Sequence, residues 1–509
     1  MTGAAGPHRA RAARPGRWLR AAAALAVVLV PAVSGAQVAD WPVENPPRPL
    51  PAREVDFPPY EIKTLANGLQ VVVVKHHEQP VVSLRLLVRA GGAQDPPGKQ
   101  GVGALAAALL DQGAGARDAA QIADAIDTIG GGLNTGAGSD LSVADVLVMK
   151  DSLAFGFELL ADVVRRPTFR PEELDRQRQQ ALSGMRVNFQ DPDSVASLVF
   201  DRLVYGFHPY GLPNTGTPES LAAITPDDLR EFHTTWFVPN NALLGIVGDI
   251  GVAEALAAAE KAFGDWKPGP LPAADHPAPP PPTRRVVVIN KPDAVQTEVR
   301  VGNLGLPRTH KDYLAFDLAL KILGGEGANR LHQVLRSDRG LTYGASADLT
   351  SRRESGDFAA ETDTRSDATG EVLRLIVDEI SRLQREPVSP RELRSAQDYL
   401  AGKFPLTIET AGAIATQVLD VLFYGLPLTD IETYRQRVLA ITPADIQRVA
   451  RQYLHTDRLS VVLVGNAAAF TGQLAGVGFD RFEQVELSQL DLSSATFQRR
   501  TAPSEAGVR

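Results

Sequence analysis

The sequence predicts an α+β protein of two homologous domains, each an antiparallel-rich sheet with helices packed on it. Three observations predict this. Apolar strand patterns come in neighbouring pairs and not in strict alternation with helices. A segment beginning at Ala223 recurs at Ala440. A Pro-rich stretch divides the chain between the two copies.

The chain opens with five arginines, Arg9, Arg11, Arg14, Arg17 and Arg20, followed by the apolar run Ala21–Val30 and the small residues Ser34 and Ala36. This layout predicts a signal peptide over 1–36, cleaved after Ala36, and hence a periplasmic protein; the apolar run is too short to span a bilayer. The 509 residues include no cysteine. Disulfides, thiolate metal sites, cysteine nucleophiles and a lipoprotein anchor are therefore excluded. Removing 1–36 takes away five arginines and no acid, which moves the net charge from −8 to −13. An acidic chain without a basic stripe argues against nucleic acid as a partner. No other run approaches about 18 apolar residues, so no membrane span is expected after cleavage.

The first domain is placed at 37–266. "GLQVVVVKHHEQPVVSLRLLVRAGG", from Gly68, predicts two strands joined by a turn at Glu78–Pro80. "GVGALAAALLDQGA", Gly101–Ala114, is rich in Ala and predicts a helix. "GGGLNTGAG", from Gly130, has the glycines of a phosphate loop but no Gly-Lys-Ser/Thr, and predicts a loop entering a strand. "AITPDDLREFHTTWFVPNNALLGIVGD", from Ala223, predicts a helix with Thr225 as N-cap and Pro226 at its first position, then an apolar strand.

Residues 267–285 form a Pro-rich linker, expected to hold two domains apart at a set span. The second domain is placed at 286–492. "RRVVVINKPDAVQTEVRVGNLG" repeats the strand pair, and "DYLAFDLALKILGG" and "GEVLRLIVDEISRLQRE" have helical periodicity. "AITPADIQRVARQYLHTDRLSVVLVGN", from Ala440, aligns without a gap on the segment from Ala223, with Thr442 as N-cap. "YGLP" occurs at both Tyr210 and Tyr424. Helices are expected on one face of each sheet, and 493–509 as a flexible tail.

Several stretches carry a resemblance when taken in order. They are the paired N-terminal strands, "GGGLNTGAGSDLS", "FRPEELDRQRQQAL" near Phe169, "HPYGLPNTGTPESLAAIT" near His208 and "LGGEGANRLHQVLRSDRGLTYGASAD" in the second half. Over about residues 55–490 the chain resembles the pitrilysin/insulinase-like zinc peptidases, in the short two-domain form related to mitochondrial processing peptidase. The resemblance implies a half-clamshell of two domains, and two chains closing around a chamber for unfolded peptides.

In that family a helix in the first half carries "GxxHxxEH", whose two His hold zinc and whose Glu works with its bound water. Residues i and i+4 face the same way, so both imidazoles reach one metal. Aligned on Gly101 and Gly113, the motif falls on Ala104, Ala107 and Ala108. The family's third ligand, a Glu about 75 residues on, falls on Ser183 or Gly184. The resemblance thus implies a vacated zinc site and no metal in this chain. No pair of the other histidines has His-x₃-His spacing, and His76-His77-Glu78 lies at a turn where adjacent side chains diverge. There is no Gly-x-Ser-x-Gly elbow.

The second half keeps a different pair. Arg339 and Tyr343 match the Arg and Tyr that, in two-chain members, hold the substrate peptide opposite the partner's zinc. A guanidinium offers fixed donors to carbonyls or a carboxylate, and a phenol can donate to a developing oxyanion. The same residues also suit structural roles, Arg at a helix C-terminus and Tyr in a strand. Gly340 is expected to end a helix, with Arg339 at its exit and Tyr343 early in the next strand, while Arg330 and Arg336 serve surface or packing roles. The resemblance implies a non-catalytic, substrate-positioning subunit of a heteromeric zinc endopeptidase, with a homologous zinc-bearing partner and peptide substrates. The alternative is a peptidase-derived scaffold or assembly protein with no role in proteolysis.

Overall fold

The computed structural model describes residues 57–499, apart from 274 and 326–328. The signal-peptide expectation for 1–36 lies outside the described residues, as do 37–56 and 500–509.

In the first half, strands β1 (Tyr60–Thr64), β2 (Gln70–Lys75) and β3 (Val81–Val88) precede helix α1 (Val102–Ala108). A two-residue ladder of β4 (Gly113–Ala114) with β5 (Arg117–Asp118) leads to α2 (Ala119–Thr128), β6 (Gly132–Ala137) and β7 (Ser142–Met149). Helices α3 (Leu153–Arg165), α4 (Pro171–Asn188), α5 (Pro192–Tyr205), α6 (Pro218–Ala223) and α7 (Pro226–Trp236) come next, then β8 (Ala242–Gly248) and α8 (Val252–Phe263). The sheet order is β1-β2-β8-β3-β7-β6.

The second half follows a related plan. It contains β9 (Arg285–Asn290), β10 (Gln296–Leu304), α9 (Tyr313–Gly324), β11 (Ala345–Ser351), β12 (Gly356–Arg365), α10 (Thr369–Arg385), α11 (Pro390–Lys403) and α12 (Ala411–Phe423). Short α13 (Thr429–Glu432) and α14 (Tyr434–Leu439) lead to α15 (Pro443–Tyr453), β13 (Ser460–Gly465), α16 (Ala467–Leu474) and β14 (Glu483–Glu486). Its sheet order is β11-β12-β10-β13-β9-β14.

The repeated segment explains the shared plan. Thr225 and Thr442 each cap a helix through a reciprocal box, with Asp228 and Asp445 as the returning side chains. The strand after each capped helix, β8 or β13, then inserts between the two members of a strand pair. The pairs read from the sequence are therefore real strands but not hairpins. β8 runs parallel to β2 and antiparallel to β3, and β13 does the same with β9 and β10. The glycine run near residue 130 also differs from expectation: Gly132–Ala137 is itself the edge strand β6, paired with β7.

Helices cover both faces of each sheet, not one. Val71 and Val73 face a core shared with Leu105 of α1, Leu160 of α3 and Ala259 of α8. Their neighbours Val72 and Val74 face the opposite way, against Ile414, Val418 and Leu419 of α12. In the second sheet Val286 and Val288 face Leu318 of α9 and Ile376 of α10, whereas Val287 and Ile289 meet Val199, Phe200 and Leu203 of α5. The reason is compositional: strands that are apolar on both sides must have both faces covered. Each half thus lends one helix to the sheet of the other.

The linker is extended, yet it does not space two separate bodies. Asn240 Nδ2 donates to the Gly269 carbonyl at 2.9 Å, and the Gly269 amide donates back to Asn240 Oδ1 at 3.0 Å. Residues 493–499 are likewise packed and not a loose tail. Phe497 is buried in the core shared by α5 and the second sheet.

Candidate functional site

Helix α1 begins at Gly101, whose φ of 100° a side chain would oppose. The Asp95 carboxylate braces that start, accepting the amides of Gly101 at 2.6 Å and Gly103 at 2.7 Å. Desolvation pushes Asp95 up to about 7, with the two amide bonds pulling the other way. Val102, Leu105 and Ala106 anchor α1 in the first core. Ala104 and Ala108 lie on one side of the helix, half-buried, and Ala107 is fully buried at 0% exposure.

Ser183 and Gly184 lie on α4 and are exposed. They stand outside the row of Leu174, Ala181, Leu182 and Met185 that packs on the first core. Zinc takes imidazole, carboxylate or thiolate ligands. Three methyl groups, with a Ser hydroxyl or a Gly, do not fit it. No hydrolytic step can pass through α1.

The Arg339/Tyr343 segment has more chemistry. A π-helical turn, His332–Ser337, ends in a bend where Gly340 takes φ +61°. β11 starts only at Ala345, so Tyr343 stands in the preceding bend and not in the strand. The bend is braced from β12: Thr362 Oγ1 donates to the Gly344 carbonyl at 2.7 Å and lies 3.0 Å from Thr342 Oγ1. On this fixed support Tyr343 is 83% exposed. Arg339 Nη1 donates to Glu371 Oε1 of α10 at 2.6 Å, and both side chains are half-exposed. Arg336, expected to serve packing or the surface, is exposed beside His332 and pairs with no acid among the described residues. No hydrogen bond or ion pair among the described residues joins this bend to α1.

A cavity of about 570 Å³ opens beside the start of α1, lined by Asp95, Gln100, Trp236, His276 and the two arginines Arg89 and Arg353. The arginines come from different halves, and neither has an ion-pair partner among the described residues. Desolvation, and then the Arg353 charge, lower the Arg89 pKa. The sequence offered no local pattern for this cavity, because its walls come from separate segments.

Two six-stranded sheets, each covered on one face by a helix of the other half, make a two-domain α+β architecture. Residues 70–216 match the family Insulinase (Peptidase family M16), and residues 223–400 match the Peptidase M16 inactive domain. An uncharacterized zinc protease of Bacillus subtilis is 23% identical over 351 residues, covering 69% of this chain and 85% of its own. One of Streptomyces coelicolor is 25% identical over 408 residues, covering 78% and 88%. The crystal structure of a peptidase M16 inactive domain from Pseudomonas fluorescens superposes with a TM-score of 0.76 at 30% identity, covering 80% of this chain and 98% of that one. A protease from Helicobacter pylori shares the fold, with a TM-score of 0.76 at 22% identity over 80% and 99% of the two chains. The chain belongs to the insulinase-like peptidase family M16.

Proposed function

We propose that this chain is a non-catalytic subunit of a periplasmic zinc endopeptidase, which positions extended peptides for a homologous zinc-bearing partner. One observation carries the reading. The same chain has alanines at 104, 107 and 108 and a Tyr343 that is 83% exposed on a braced bend. With no zinc ligand on α1, the chain cannot activate water there. A phenol held out in solvent on a braced bend is available to a peptide, and its hydroxyl can donate to a carbonyl that is gaining negative charge.

The ion pair of Arg339 with Glu371 favours the second reading, a scaffold, since it gives that guanidinium a structural use. Reconstitution with a homologous chain bearing HxxEH separates the two. The reading expects hydrolysis by the mixture and none by this chain alone. It also expects Tyr343→Phe to assemble normally, by size-exclusion chromatography, and to turn over about a hundredfold more slowly. Full turnover by that variant would leave the scaffold reading in its place.

A further inference from the structure

We propose that His208, His276 and Glu354 form a divalent-metal site, suited to zinc, that ties the linker to both halves of the chain. His208 precedes the turn Pro209–Gly211, His276 lies in the linker, and Glu354 lies between β11 and β12. One ligand atom from each comes within 4.8 Å of the others. His208 Nε2 is 3.3 Å from Glu354 Oε2, and His276 Nδ1 is 3.0 Å from the same oxygen. Tetrahedral zinc, with bonds of about 2.0–2.1 Å, holds neighbouring ligand atoms about 3.3 Å apart. The two nitrogen–oxygen separations are already close to that value.

The donor set and its surroundings suit a bound cation. Two imidazoles and a carboxylate favour zinc or a neighbouring transition metal over magnesium or calcium. The His208 side chain is 2% exposed, that of His276 14% and that of Glu354 34%. The cluster is thus closed on the protein side and open on the other, where water completes a fourth position. Tyr210 holds Glu354 and, in the metal-free chain, also the His208 ring. Its amide donates to His208 Nδ1 at 3.1 Å, and its hydroxyl accepts the Glu354 amide at 3.2 Å while donating to Asp140 Oδ1 at 2.6 Å.

Without metal, neutral His208 carries its proton on Nε2 and donates it to Glu354, since Nδ1 accepts from Tyr210. Binding moves that proton to Nδ1, and His276 ligates through an unprotonated Nδ1. The Tyr210 amide gives up its bond to the ring. One hydrogen bond to the ring and those to Glu354 are exchanged for three metal bonds. A neutral ring and an ionised carboxylate are the forms that ligate. The expectation that this chain holds no metal rested on α1 and on the lack of His-x₃-His spacing among the other histidines; a site assembled from three distant segments departs from it.

The test uses the full chain, made without a histidine tag and stripped with chelator. Cobalt(II) is added and the visible absorption of tetrahedral cobalt recorded; zinc is then titrated against it and by calorimetry. The expected result is one cobalt per chain, displaced by zinc, with affinity reduced by about a hundredfold or more in both His276→Gln and Glu354→Gln. Both positions are partly open to solvent, and near-UV circular dichroism in chelator should match the wild type. Zinc should also raise the Tm of the wild type and leave that of the two variants unchanged. Absence of cobalt and zinc binding at micromolar metal overturns the proposal. So does binding that both variants retain in full.

Discussion

The exchange of helices between halves can be tested at one contact, Gly245 of β8 against Leu419 of α12. Leu419 is buried at 0% exposure. Truncation to Ala removes its packing and leaves a space, at about 3 kcal/mol for a site of this burial. Gly245 has no side chain, and a Cβ built there would lie 3.2 Å from Leu419 Cδ1 and 3.3 Å from Cγ. Gly245→Ala therefore crowds the leucine, at about 1–2 kcal/mol, against about 0.5 kcal/mol regained by removing a glycine from a strand. The net single-mutant cost is about 1 kcal/mol. Combined, the new methyl enters the space the leucine leaves. The double variant should lose about 2 kcal/mol and not the additive 4, a coupling of about 2 kcal/mol. Urea unfolding of the four proteins, checked by calorimetry, measures the cycle. Additivity within about 0.5 kcal/mol would show that α12 does not lie on β8, and the interlocked fold would be wrong.

Other predictions concern the site. Glu371→Gln frees Arg339 from an exposed ion pair worth about 0.2–1 kcal/mol, so if Arg339 binds peptide, KM of the reconstituted complex should fall by about 1.4- to 5-fold with Tm little changed; an unchanged KM would assign Arg339 to structure. Ala104→His, Ala107→Glu and Ala108→His together should not yield a peptidase, because Ser183 and Gly184 supply no third ligand; robust peptide hydrolysis by that variant alone would show the site to be misplaced. The raised pKa of Asp95, about 7, means the folded state takes up its proton more readily than the unfolded chain. Its contribution to stability is therefore present at low pH and lost as pH rises from about 4 to 7. The Tm difference between wild type and Asp95→Asn should drift against the wild type across that window, and a flat difference would mean that Asp95 is not desolvated.

Much of the architecture was legible where the physics is local. A Thr, a Pro and an acid three residues on are enough to start a helix, and both Thr225 and Thr442 do so as read. Four consecutive valines at 71–74 announced a strand. They do not say which strand lies beside it; chain proximity points to the nearest apolar segment, β3. In the fold β8 takes that place, because a strand buried on both faces pairs according to the whole sheet and not to chain proximity. The same non-locality hid the covering of both sheet faces.

The sequence by itself determined what α1 cannot do, since Ala at 104, 107 and 108 has no ligand atom in any fold. It also determined the duplication and the presence of Arg339 and Tyr343. Only the tertiary structure decided that Tyr343 stands exposed in a bend, that Arg339 is held by Glu371, and that each half covers the other's sheet with α5 or α12. It alone brought His208, His276 and Glu354 together from two halves and a linker. Spacing along the chain reports proximity only within one helix or hairpin, and those three side chains meet through long-range packing that no local pattern encodes.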